Sequence, residues 1–215
     1  MSETEDFKII KRFGPSILKV KIPDDLLKNL NDYIDKIIED KKKSADLNHG
    51  ENLVADVTQE FRLEPEVITE IGWTKFLGFN VRKWILSEMG VKISKFHVRN
   101  CWVVRQFENE FNPTHWHNGH ISGAGFLKVP KTLGEFKQKK QTKDFRGGTL
   151  QLIHGSRQFM SFSTYNIIPK VGDFYFFPHY LMHTVFPFTG TKDERRSISF
   201  NANIDENIFN TDIYG

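Results

Sequence analysis

The hydrophobic period of this chain changes once, near Lys92, and that change limits what the chain can become. Upstream the apolar residues recur at helical spacing. Leu26, Leu27, Leu30, Tyr33, Ile34 and Ile37 follow Pro23-Asp24-Asp25, which predicts a helix with Asp as its cap. Asp40-Lys41-Lys42-Lys43 is expected to be its solvated C-terminal end, where cations suit the helix dipole. Ile17 to Ile22 reads as a short strand, and residues from about 46 to 64 as loop. Val67, Ile71, Phe76, Leu77, Val81, Trp84 and Ile85 predict a second helix from Pro65 to roughly Glu88, stopped by Gly90. From Lys92 the period is two. KISKFHVRNCWVVRQFE reads as a long strand or bent pair, and Asn112-Pro113 as a turn. SGAGFLKVP, TLQLIHG, RQFMSFSTYNIIP, VGDFYFFP, HTVFPF and RRSISFNANI follow, with turn residues between them. Short strands in such a series predict a sandwich or barrel. The fold class is therefore mainly β with N-terminal helices (α+β). One domain over 1–215 is expected: helical support over about 1–91, a β core over about 92–204 and a C-terminal tail over 205–215.

Composition narrows the function classes. A net charge of +3 is too mild to argue for nucleic acid. The single cysteine, Cys101, excludes an internal disulfide and fits a reducing compartment. The acidic N-terminus has no apolar signal core, and no apolar run is long enough to span a bilayer. A soluble, cytoplasmic protein without membrane or nucleic-acid partners is expected. Its oligomeric state is left open.

Chemistry concentrates in the β half. His115, His117 and His120 fall within six residues, and His183 follows an aromatic strand. Imidazole is the commonest protein ligand for iron, zinc, copper and nickel. Residues two apart on a strand share a face, so His115 and His117 converge if HWH is extended. His120 would need a turn to join them and is expected instead to be a polar strand-end residue or to bond a loop carbonyl. His179 and His183 could share a face of a short helix, but Tyr180 stands where a zinc protease needs glutamate. His154 reads as a turn or core-edge residue. Further on, Arg195, Ser197, Ser199 and Asn201 share one face of a strand, with Arg196, Ile198 and Phe200 on the other. Guanidinium plus hydroxyl clamps a carboxylate, and a bound dicarboxylate would explain a polar face inside a small barrel. The segment Lys131 to Arg146 carries six cations against Glu135 and Asp144, and reads as a mobile, solvated loop or as a lid for an anionic or peptidyl substrate.

These strings together resemble the 2-oxoglutarate- and iron(II)-dependent dioxygenases, nearest to a bacterial and phage branch of oxygenases distantly related to prolyl hydroxylases. Ser122-Gly123, Phe177-Pro178, His183, Arg195, Ser197 and Phe200-Asn201 carry the likeness, and Trp102 falls at that branch's strand tryptophan. It covers roughly residues 95 to 204. The resemblance implies a double-stranded β-helix (jelly-roll) core buttressed by helices. It implies iron(II), 2-oxoglutarate and O2 as cofactors, and hydroxylation of a small-molecule or peptidyl substrate with release of succinate and carbon dioxide. It also implies His183 as distal iron ligand and Arg195 with Ser197 as the 2-oxoglutarate clamp, with Trp102 and Asn201 counted with the cofactor-binding residues. The family's usual H-x-D motif is altered, because His117 holds the aspartate position. Three completions of the iron site stay open: His115, His117 and His183; two of these with water; or a remote carboxylate such as Glu108 or Glu110. Halogenating relatives carry a small residue at the aspartate position, so the bulk of His117 disfavours halogenation. Two other readings remain: a cupin-like metal enzyme without 2-oxoglutarate, against which Arg195 and Ser197 argue, and a non-catalytic jelly-roll binding module in which Trp102, Trp116 and the basic loop stack a ligand.

Overall fold

The long helices lie before Lys92 and most strands after it, as the period predicts, but three short strands of the first half also join the large sheet. A computed structural model describes residues 7–11, 14–48, 57, 59–134 and 147–211. In chain order the elements are β1 (Phe7–Lys11), β2 (Ser16–Lys21), α1 (Asp24–Glu39), α2 (Lys41–Asp46) and β3 (Gln59–Arg62). Next come α3 (Pro65–Glu70), α4 (Trp73–Met89), β4 (Phe96–Gln106), β5 (Asn112–His115) and β6 (Ile121–Lys128). The chain closes with β7 (Leu150–Ile153), β8 (Thr164–Ile167), β9 (Asp173–Pro178), β10 (Met182–Val185), β11 (Arg195–Ile204) and α5 (Glu206–Phe209).

The strands form two antiparallel sheets. The larger has the order β1-β2-β9-β6-β11-β4-β3, the smaller β5-β10-β7-β8. Alternation along each strand divides the apolar residues between two clusters. Phe174, Phe176, Ile198 and Phe200 face outward and bury Leu30, Ile34 and Ile37 of α1 and Leu77, Val81 and Trp84 of α4. Tyr175, Phe177 and Phe126 face inward onto Leu150 and Leu152 of the smaller sheet. The result is a jelly roll with helices on the back of its large sheet. Gly123 and Gly125 of β6 let the outer aromatic layer lie close. A Cβ on Gly125 would stand 2.2 Å from Phe174 Cδ2, and one on Gly123 2.6 Å from Phe200 Cε1.

Helix α1 is fastened to β11 by charge. Arg196, 1 % exposed, donates to Asp35 Oδ1 (2.7 Å), Asn31 Oδ1 (3.0 Å) and Glu194 Oε1 (2.7 Å). Glu194 also takes Arg105 (2.8 Å), and Asp35 takes Lys128 (3.1 Å). Buried guanidinium needs such partners.

Several local expectations are corrected. Pro23, not an aspartate, is the N-cap of α1; Asp24 and Asp25 lie in its first turn, where carboxylates favour the dipole. The lysine run does not end α1. Asp40 turns extended and its carboxylate accepts from the Lys42 and Lys43 amides (3.0 Å each), starting α2. The stretch read as loop contains β3, four residues whose only core apolar residue is Phe61, too short for a period to show. The second helix is two helices, because Gly72 adopts φ +92° between them; Gly90, at φ +70°, stops α4 as expected. Strand β1 lay outside the reading. Asn112 and Pro113 open β5 rather than turning the chain, and a positive φ at Asn109 marks the preceding bend. RQFMSFSTYNIIP yields only the short β8. His183 lies in β10, so the short helix pairing it with His179 does not form. The tail contains α5. Most of the basic segment 131–146 lies outside the described residues.

Candidate metal centre

Two strands of the smaller sheet bring the histidines together. His115, at the end of β5, is the ladder partner of His183 in β10. His117 follows just beyond the strand. Its backbone N–H donates to His179 O (3.1 Å), and the His179 ring bonds back to His117 O (3.0 Å), which fixes the loop. The ring centroids are 4.3 Å apart for His115 and His183, 4.9 Å for His117 and His183, and 5.0 Å for His115 and His117. One ligand nitrogen from each lies within 4.8 Å of the others, an arrangement that can hold a metal ion.

The tautomers favour ligation. His115 Nδ1–H donates to Pro113 O (2.7 Å) and His183 Nδ1–H to Leu181 O (2.9 Å), leaving each Nε2 its lone pair. His117 Nε2 and His183 Nε2 stand 3.1 Å apart. Two nitrogens at right angles on one ion, each about 2.1 Å from it, would be roughly 3 Å apart. Burial, then the neighbouring rings, holds His117 down to about 3 and His183 well below the usual imidazole range; burial also lowers His115. All three are neutral imidazoles at pH 7, the form that binds metal. Trp102 meets His117 edge-on at 5.3 Å, and Phe177 meets His183 at 5.2 Å.

A cavity of about 40 Å³ runs between the sheets from these histidines to Arg195, with Trp102, Ser197 and Ser199 among its walls. Arg195 is 1 % exposed. Its Nε donates to Gly148 O (3.1 Å), its Nη1 to Ser197 Oγ (3.4 Å), and its guanidinium lies 5.0 Å over the Phe126 ring. Among the described residues no carboxylate pairs with it. Burial lowers it to about 9, so it stays a cation at neutral pH. A buried, unbalanced guanidinium at the end of a cavity suits an anion. Arg196, one residue on, is saturated by acids on the opposite face.

The remaining candidates fall elsewhere. Asn201 Oδ1 accepts from Ser122 Oγ (2.8 Å), tying β11 to β6, and Asn201 is not among the cavity walls. His120 Nδ1 accepts from the Ile204 amide (3.1 Å), and its ring stacks on Phe209 at 3.8 Å, a structural role. Glu108 and Glu110 accept backbone amides of Gly190 and Phe107 and stand outside the histidine cluster.

The reading missed Glu60 of β3. It is 1 % exposed, and neither carboxyl oxygen has a hydrogen-bond partner. Burial alone pushes it up to about 7. A carboxyl that holds its proton more tightly folded than unfolded loses stability as pH rises, here between about 4.5 and 7. Glu60→Gln is therefore expected to match the wild type near pH 4.5 and exceed it by about 2–3 kcal/mol at pH 8. Urea melts at the two pH values check this; equal stability at pH 8 would show the carboxylate to be compensated.

The comparisons agree with this architecture. The profile of the family described as "Putative 2OG-Fe(II) oxygenase" matches residues 100–201. No curated protein matches the chain. Among solved structures, the chain is similar to a prolyl-4-hydroxylase of Pseudomonas putida (15 % identity, TM-score 0.52, covering 92 % of this chain and 93 % of that one). It is likewise similar to the viral collagen prolyl hydroxylase of Paramecium Bursaria Chlorella virus-1 (14 %, 0.51, 93 % and 97 %). A third is HygX from Streptomyces hygroscopicus, with nickel and 2-oxoglutarate bound (10 %, 0.53, 86 % and 81 %). At such identities the structural likeness establishes the fold.

Proposed function

We propose that this chain is a distant member of the 2OG-Fe(II) oxygenase superfamily, an iron(II)- and 2-oxoglutarate-dependent dioxygenase hydroxylating a C–H bond of a small-molecule or peptidyl substrate. In this reading His115, His117 and His183 hold the iron, and Arg195 with Ser197 holds the co-substrate's far carboxylate. One observation supports it most: three neutral imidazoles, His183 buried and His115 and His117 half-buried, face a buried arginine without an acid partner across a single cavity. A metal enzyme that did without 2-oxoglutarate would leave Arg195 unexplained.

Iron(II) with 2-oxoglutarate and O2 supplies the oxidising chemistry when bound, with succinate and carbon dioxide as products. The chain's own residues bind and exclude. Arg195 neutralises the distal carboxylate, and Ser197 adds a hydroxyl donor. Trp102 and Phe177 pack on His117 and His183, and Phe126 lies under Arg195; this apolar surround excludes water and strengthens charge interactions inside. His117 replaces a carboxylate ligand by a neutral one, so the site carries one negative charge fewer. The buried, lone Cys101 supports a cytoplasmic location, and among the described residues no helix is long and apolar enough to cross a membrane.

Anaerobic titration of iron(II) with 2-oxoglutarate tests the proposal. A visible charge-transfer band that needs both components is expected; its absence at saturating iron counts against the reading. His117 admits a separate test. His117→Asp is expected to keep the metal and tighten its retention, because the aspartate restores the missing negative charge. His117→Ala should loosen iron without unfolding the protein. Competition with a chelator ranks the three proteins, and equal retention in all three would remove His117 from the ligand set.

A further inference from the structure

We propose that Glu60 is a substrate-recognition residue, taking an N–H-bearing cation of the substrate, an ammonium or guanidinium, beside the metal cavity, behind its wall residue Val104. The inference rests on the oxygenase reading only for what happens to that substrate. Its basis is register. Strand β3 pairs with β4 so that Glu60 lies opposite Val104, and Phe61 opposite Val103. Directly opposed residues of an antiparallel pair point to one face, with Cβ atoms about 4.5–5.5 Å apart. Phe61 and Val103 belong to the helix-side cluster, whereas Val104 and Trp102 line the cavity with the histidines. Glu60 therefore faces the cavity side.

What it does there is unexplained by folding. Its two oxygens are buried without a donor. Gln106, two residues along β4 on the same face, also has a buried Oε1 without a partner, its amide nitrogen being spent on the Glu110 and Phe186 carbonyls. Three acceptor atoms thus sit diagonally across one strand pair with no donor between them. Arg62 shares the face of Glu60 but is exposed and forms no ion pair with it. Buried acceptors are costly unless satisfied, so a cluster of them beside a cavity is suited to a ligand rich in donors. The cavity walls carry no acid, and Glu60, opposite the wall residue Val104 though not itself among the walls, is the acid on that face that would select a cation.

The probes are n-butylammonium and n-butylguanidinium, with n-butanol as the uncharged control. Binding is measured by saturation-transfer NMR on protein loaded with zinc in place of iron, with and without 2-oxoglutarate, at pH 7.5. Both cations are expected to bind at least about tenfold more tightly than butanol, a difference of roughly 1.4 kcal/mol. Glu60→Gln should bring the three within about twofold. Equal affinities in the wild type, or a cation preference that survives Glu60→Gln, would overturn the assignment. Equilibrium dialysis of 2-oxoglutarate on the same samples separates the two ideas. Retained co-substrate without cation preference defeats the Glu60 inference alone, and cation preference without retained co-substrate defeats the oxygenase reading alone.

Discussion

Replacing His183 by alanine is expected to abolish iron binding. His183 is the most deeply buried of the three histidines, and its ring is held by Leu181 O behind and by Phe177 beside. The described residues offer no other donor within the cluster, so nothing replaces the lost nitrogen. His115→Ala should do the same, since His115 is its ladder partner and its Nδ1 is likewise committed to a carbonyl. Metal analysis after anaerobic reconstitution and desalting reads the result; full iron occupancy in either variant would defeat the ligand assignment. His120→Ala should leave iron in place, because His120 serves the α5 contact.

Replacing Arg195 by alanine is expected to weaken 2-oxoglutarate by about 2–5 kcal/mol, the range for truncating one partner of a buried charge pair. Iron content should survive, since Arg195 lies at the other end of the cavity. Arg195→Lys should restore only part of the affinity, because the planar fork is lost. Arg196→Ala provides the contrast. It removes the partner of Asp35 and Glu194, so it should lower stability while sparing co-substrate binding. Calorimetric titration on iron-loaded protein distinguishes the two arginines. A larger loss of affinity from Arg196→Ala would mean that the register of β11 is off by one.

That register was legible in the sequence. Alternation alone put Arg195, Ser197 and Ser199 on one face and Ile198 and Phe200 on the other, and the cavity and the helix-side cluster divide them in the same way. The pairing of His115 with His117 was suggested by spacing, but β5 ends at His115 and bonds to His179 fix His117, and the structure adds His183 through a cross-strand pair that spacing could not reveal. Asn201 followed the pattern of its strand, yet a local bond to Ser122 claims its side chain. Glu60 escaped because a four-residue strand with one core residue has no measurable period. Only pairing with β4 gives it a face. The breaks at Asp40 and Gly72 escaped for a related reason. At Gly72 the apolar spacing runs on across the break, and a left-handed glycine interrupts the backbone without disturbing it, whereas α2 beyond Asp40 buries no residue and so has no period to reveal it.

The charged rivet between α1 and β11 bears on what can be taken apart. Arg195 and Arg196 are neighbours on one strand, the first turned toward the anion cavity and the second anchored to Asp35 and Asn31 of a helix outside the segment that the oxygenase profile matches. The matched stretch is therefore not a portable cassette. Grafting it onto a foreign helical half, or trimming α1 from this one, would leave β5 and β10 with their histidines while removing the outside brace of β11. Such a chimera would fail first as a binder of dicarboxylates and only later as a binder of metal. The part of the chain that looks like mere scaffolding thus sets the aim of the arginine on the far side of the sheet.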